Sequence, residues 1–294
     1  MKFFRHVLLV IVLLTGLVTQ AQLINNISAL SPGSDFSQKN HGAFRSKLSV
    51  SIAAGLSNYL GDLREHANLF RESSFALSAG LSYRVFPHLH ARVDLSVMKL
   101  QASDSKNSRI DLNQRNLSFK SAVWDLALSA EYDIRNLDNH KFTPYLFAGI
   151  GAFYFNPYTI DRFGNKKFLQ PLGTEGQGLA LYPERKYYKR VALEVPLGGG
   201  IKWAVSKKLT LGLEFKYRHT NTDYIDDVSL LGYPNKAALD ARDPGTALLT
   251  WRGDEYNGVP YPVFSPGTNR GSPNKSWGAN DAFYTTQFKL IFKL

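Results

Sequence analysis

The chain has 294 residues, no cysteine, and 35 Lys and Arg against 24 Asp and Glu, for a formal net charge of +11 at pH 7. The missing cysteine excludes disulfide staples, thiolate metal sites and thiol nucleophiles. The length suits one domain, and the basic balance favours anionic partners.

Lys2 and Arg5 precede an apolar run over residues 7–18, and Thr19, Gln20 and Ala21 then place small residues before Gln22. This pattern predicts an export signal over residues 1–21, too short for a membrane anchor. Export removes nucleic acid as a partner. Without Lys2 and Arg5 the net charge is still +9, which suits lipopolysaccharide, peptidoglycan or an acidic protein. Residues 22–46 are polar, with Ser31-Pro32-Gly33, and predict a periplasmic lead-in with little fixed structure.

Period-two alternation begins next, the mark of strands with one apolar and one polar face. The first strand sets Leu48, Val50, Ile52, Ala54 and Leu56 against Ser49, Ser51 and Ser57. The second sets Phe75, Leu77, Leu81 and Tyr83 against Ser78, Ser82 and Arg84. In the third, Ala91, Val93, Leu95 and Val97 alternate with His90, Arg92, Asp94 and Ser96. The fourth alternates Trp124, Leu126, Leu128, Tyr132 and Ile134 with Asp125, Ser129, Glu131 and Asp133. The fifth run, residues 144–155, is apolar and aromatic on both faces, so its orientation is open. The sixth sets Val191, Leu193, Val195, Leu197, Ile201 and Trp203 against Arg190, Glu194, Pro196 and Lys202. The seventh sets Leu209, Leu211, Leu213, Phe215 and Tyr217 against Glu214, Lys216 and Arg218. The last, residues 281–294, carries Tyr284, Phe288, Leu290 and Phe292 on one face and Gln287 and Lys289 on the other.

Connections between these runs alternate strictly between short and long. The fold class expected is therefore all-β: an eight-stranded antiparallel transmembrane β-barrel in the outer membrane over residues 47–294, with short periplasmic turns and long outer loops. Pro196, beside Gly198-Gly199-Gly200, predicts a bulge or kink in the sixth strand.

An eight-stranded barrel has an interior that side chains just fill. Arg84, Arg92, Asp94, Asp125, Glu131, Asp133, Arg190, Glu194, Lys202, Glu214, Lys216, Arg218 and Lys289 should pair there into a charge network that plugs the lumen, which disfavours a transport pore. His88 and His90 form an i,i+2 pair with no third ligand in view and predict a wet turn. Asp223, Asp226, Asp227 and Asp254 could bind a hard cation, but no repeat frames them, so a solvated loop is expected, with no metal and no cofactor. No spacing singles out a nucleophile and base, so no catalytic residues and no enzyme are expected. The loop over residues 246–276 is rich in aromatics, including Trp251, Tyr256, Tyr261 and Phe264, with Trp277 directly after it, which suit a partner contact or a fold over the barrel mouth.

Three loop segments stand out: residues 58–63 (Asn-Tyr-Leu-Gly-Asp-Leu), 172–178 (Leu-Gly-Thr-Glu-Gly-Gln-Gly) and 222–229 (Thr-Asp-Tyr-Ile-Asp-Asp-Val-Ser). With Pro144-Tyr145-Leu146-Phe147-Ala148-Gly149 they resemble the PorG-like small outer-membrane barrels of Bacteroidota, a component of the type IX secretion system. The resemblance covers most of the chain after the signal. It implies a barrel that works by association, anchoring or scaffolding the secretion machine on a periplasmic ring built from a lipoprotein and its partner. Thr174, Glu175, Gln177, Tyr224, Asp226, Asp227, Trp251 and Tyr256 become the candidate partner contacts. A lipid A-modifying barrel enzyme and a surface adhesin or receptor using its long loops remain alternatives.

Overall fold

The computed structural model describes residues 47–63, 72–107, 109–256, 258–262, 268–271 and 280–294. The expected signal, the lead-in before residue 47, Phe264 and Trp277 lie outside these residues. No helix among the described residues is long and apolar enough to cross a membrane.

The strands are β1 (Leu48–Leu60), β2 (Ser74–Arg84), β3 (Leu89–Ser103), β4 (Ser118–Asp133), β5 (Phe142–Tyr154), β6 (Tyr158–Ile160), β7 (Lys166–Phe168), β8 (Val191–Ala204), β9 (Leu209–Thr220) and β10 (Ala282–Lys293). Eight of them form one antiparallel sheet in the order β3-β2-β1-β10-β9-β8-β5-β4, and pairing of β3 with β4 closes it into a cylinder. Closure leaves no free sheet edge, which is what lets strands cross a bilayer with every backbone group satisfied. The terminal strand β10 sits between β1 and β9, with Ala53 opposite Lys289 and Glu214 opposite Gln287.

The alternation of apolar and polar residues sorts directly onto the two faces. Leu146, Ile150, Trp203 and Phe288 point outward at 62, 68, 61 and 74 % exposure, a surface that only lipid makes favourable. Among their strand neighbours, Tyr145, Phe147, Lys202, Gln287 and Lys289 point inward and are buried. In the fifth run, whose orientation the sequence leaves open, Tyr145, Phe147 and Phe153 face the lumen.

Pro196 does not produce a bulge. The register between β5 and β8 is the same on both sides of it, from Ala148 opposite Leu197 to Gly151 opposite Glu194. Only the two intervening pairs lose their ladder, because a proline nitrogen has no proton to donate. Gly198 and Gly200, on the same inward face, serve a different need. A Cβ on either would strike the ring of Phe147 or Tyr145 as well as backbone of β9.

The long connections carry small elements that strand periodicity does not signal. β6 and β7 form a hairpin that joins the sheet at one point, Tyr158 opposite Lys120 of β4. Short helices occupy Ile110–Arg115, Lys236–Arg242 and Pro244–Thr250. The last two are capped by Asn235, which accepts from Ala238 N, and by Asp243, which accepts from Gly245 N, side chains that satisfy amide groups left open at a helix start.

Candidate functional site: a lumen filled in layers

The inward residues of the strands stack into layers along the barrel. Toward the short turns, Arg84 pairs with Asp138 at 2.7 Å. Above it, Lys202 Nζ bridges Asp133, at 2.7 Å, and Glu131. Arg92 is the hub of the next level. Its guanidinium reaches Glu131 at 2.6 Å, Asp94 at 2.7 Å and Glu214 at 2.9 Å, using the fork geometry that a lysine lacks. Lys216 Nζ donates to Asp94 at 2.9 Å and Lys289 Nζ to Glu214 at 3.2 Å. Tyr145 Oη donates to Glu214 at 2.8 Å, while Phe147 lies 4.7 Å from the Arg92 guanidinium carbon. The Tyr145 ring also lies 4.5 Å from Lys202 Nζ and the Phe147 ring 5.6 Å from Lys216 Nζ, and the glycines of β8 leave room for both rings.

One level further, Arg218 Nε donates to Asp125 at 2.5 Å and lies 3.5 Å from Glu194. Next comes an apolar layer: Tyr59, Met98, Leu100, Phe119, Val123, Phe153, Phe155 and Phe283, capped from the loops by Ile225 and Val228.

The long loops close the far mouth with a second polar network. Tyr59 Oη donates to Asp226 at 2.6 Å and lies 2.9 Å from Asp281. Thr174 Oγ1 donates to Asp227 at 2.5 Å, and Tyr188 Oη donates to the other oxygen of Asp227 at 2.7 Å. Glu175 accepts from both Ser229 N and Ser229 Oγ, at 2.8 and 2.7 Å. Arg270 joins these groups, donating to Asp227 O at 2.6 Å and lying 3.6 Å from Glu175. Arg115 clamps Asp104 through two nitrogens, at 2.6 and 2.8 Å, and donates to Arg270 O at 2.6 Å. Burial raises the Glu175 carboxyl to about 7, against the opposing pull of Arg270. Burial likewise raises Asp104 and Asp227.

Several expected site residues move. Arg190 is not in the lumen; it is exposed, with its guanidinium 5.8 Å from the ring centre of Tyr154, because β8 begins only at Val191. The candidate partner contacts Thr174, Glu175, Gln177, Asp226, Asp227 and Trp251 are buried. Their polar atoms are consumed by neighbouring loops, so they hold the cap together instead of facing a partner. Tyr224 and Tyr256 are half-buried, and Tyr224 stacks on Tyr188 at 4.5 Å. The four acidic loop residues do not form one group: Asp254 pairs with Arg162, whereas Asp226 lies with Asp62 and Asp281 in a buried group of three carboxylates close enough together to hold a metal ion, with the Tyr59 hydroxyl bonded to Asp226 and Asp281. His90 lies 3.2 Å from Asp133 beside Glu131, but the Lys202 ammonium already bridges both carboxylates. Arg115, Asp104 and Arg270 give no periodic signal, and only their placement in space identifies them.

A family model described as "Outer membrane protein beta-barrel domain" matches residues 27–235. Among solved structures, the chain is similar to Neisserial surface protein A, at 13 % identity over 86 % of this chain and 100 % of that one, TM-score 0.43. It is also similar to OprG from Pseudomonas aeruginosa, at 9 % identity over 85 and 98 %, TM-score 0.39. The outer membrane enzyme PagL matches at 12 % identity over 84 and 99 %, TM-score 0.32. No curated protein matches the chain.

Proposed function

The chain belongs to the family of outer-membrane protein β-barrel domains, and on that premise we propose that it works by association, as a non-enzymatic barrel that anchors or scaffolds an envelope assembly. The observation that carries this reading is the filled lumen. Ion pairs, an apolar layer and a bonded loop cap lie in series along its axis, which leaves the outer surface and the rims as the parts able to act. A closed, stiff cylinder suits an anchor.

Type IX protein secretion is the assembly we favour, with the periplasmic ring lipoprotein and its partner as contacts. Support comes from the resemblance to PorG-like barrels and from one physical fact about its motifs. The segments 172–178 and 222–229 are bonded to each other, through Thr174 to Asp227 and Glu175 to Ser229, so they act as one unit that shapes the outer cap.

Deletion of the gene followed by comparison of the secreted proteins tests this. Loss of the exported cargo is the expected result. Unchanged export would overturn the secretion role, and an altered lipid A mass profile in the same strain would favour a lipid A-modifying enzyme.

A further inference from the structure

The hairpin β6–β7 extends the barrel wall at its long-loop end, and its register decides which residues share the outward face. Lys120 of β4 points outward and is exposed, and Tyr158 pairs with it. Paired residues of antiparallel strands project to the same side, so Phe168 and then Ile160 and Lys166 follow onto that face through the hairpin register. Lys99 of β3, opposite Ala122, joins from the other flank. The result is three exposed lysines on three strands, toward the long-loop end from Trp124 and Tyr154, two aromatic side chains that pair across β4 and β5 on the outward face. Lys166 is held in place, its Nζ 3.8 Å from the Tyr158 ring centre and 4.6 Å from that of Phe168, a cation–π arrangement that leaves ammonium protons free. Ile160 and Phe168 are 40 and 42 % exposed beside it.

A cleft of about 220 Å³ opens at the same junction, lined by Lys106, Lys120, Tyr158 and Ile160. The acidic group at its wall, Glu72, lies 3.4 Å from Lys106, so the cleft keeps a net positive charge from Lys120. Cations set directly above a lipid-facing aromatic level, with apolar side chains between them, match the junction of phosphate and acyl chain in an anionic lipid. In an outer membrane the lipid at this level is lipid A, which carries phosphates on a sugar.

We propose that the outward face formed by Lys99, Lys120, Lys166 and the neighbouring cleft is a lateral binding site for the phosphorylated headgroup of lipid A. The site lies on the barrel wall, so it is independent of which assembly the protein serves.

The test uses the full chain folded into phosphatidylcholine vesicles containing lipid A, dephosphorylated lipid A or neither, with bound lipid counted by mass spectrometry after gentle detergent release. The wild-type chain should retain lipid A and not the dephosphorylated form. Lys120→Gln combined with Lys166→Gln should weaken retention about thirtyfold, from the attraction of two cations near an anionic surface. Both side chains are exposed, so the double variant should keep the gel mobility of a folded barrel. Equal retention by variant and wild type, equal retention of the two lipid forms, or no retention at all would each overturn the site. Export by the deletion strain complemented with the double variant reads the scaffold role separately.

Discussion

Arg92 meets three carboxylates, Glu131, Asp94 and Glu214, at 2.6, 2.7 and 2.9 Å. Together with Lys202, Lys216 and Lys289 it supplies four cations to four carboxylates, Asp94, Glu131, Asp133 and Glu214, so the layer is balanced. Removing one partner of a buried set leaves an uncompensated charge, at a cost of about 3–5 kcal/mol. Arg92→Met is therefore expected to lower stability by that amount in urea unfolding from vesicles. Arg92→Met with Glu214→Met restores the balance and should recover part of the loss. Equal stability of Arg92→Met and wild type would sink the hub role. Glu175 predicts an unusual pH response. Burial pushes its folded pKa up to about 7, above the ordinary glutamate range of about 4.3, so the folded state binds the proton more tightly. The stabilisation is full below the unfolded pKa and is lost as pH rises through about 7, a difference of about 3 kcal/mol. Arg270, Asp227 and Ser229 face the same carboxyl. Amide exchange in residues 174–178 and 225–231 should slow as pH falls from about 8 to about 5 after correction for intrinsic rates, and Glu175→Gln should remove the trend. An identical pH trend in Glu175→Gln would refute it.

At the level of elements, β8 shows how strand and filling are matched. Gly200 lies inward opposite Tyr145, and a Cβ there would meet the Tyr145 ring and Leu213 O. Gly200→Ala should destabilise by about 1–3 kcal/mol, the usual cost of overpacking, while Ala148→Gly on the lipid-facing side should cost less. Unfolding midpoints in vesicles check this, and a neutral Gly200→Ala would mean that the ring has room to move. The same strand marks what was legible in advance. Apolar and polar residues alternate with period two in seven of the eight barrel strands, so their number, order and lumen-facing charges are legible directly, except for Arg190, which lies just before β8. The fifth run has no legible orientation, because Leu146 and Ile150 face lipid while Phe147 packs on the Arg92 guanidinium and Phe153 in the apolar layer, and hydrophobicity is the same signal on both faces. Of the bulge or kink expected at Pro196, no bulge forms, because a missing donor breaks local bonds without inserting a residue. The loop residues stand out in the sequence, but their burial does not. Acidic and hydroxyl side chains such as Asp227 and Thr174 read as solvated in one dimension, and only the arrival of Arg270 and Tyr188 from distant loop positions makes them a buried cap.

For the whole molecule, the question is whether a cylinder of eight strands conducts. An eight-stranded interior is just wide enough for side chains to fill, and here three unlike layers fill it in series. The ionic layers around Arg92 and Arg218 would have to separate buried charges to admit water. The apolar layer of Phe119, Phe153, Phe155 and Phe283 offers a passing ion no replacement for its hydration shell, and moving an unpaired charge into such surroundings is strongly unfavourable. The loop cap adds Arg115, Arg270 and Asp227, all buried and bonded. Because the barriers are in series, opening any one of them does not open the path. The protein in planar lipid bilayers should therefore show no steady open-channel steps, and Arg218→Ala, which removes the guanidinium 5.1 Å from the Phe283 ring centre, should also remain closed, since Phe119, Phe153 and Phe155 still fill the apolar layer. Step conductance in the wild-type protein at modest voltage would overturn the layered plug and, with it, the case for a barrel that acts only through its surface.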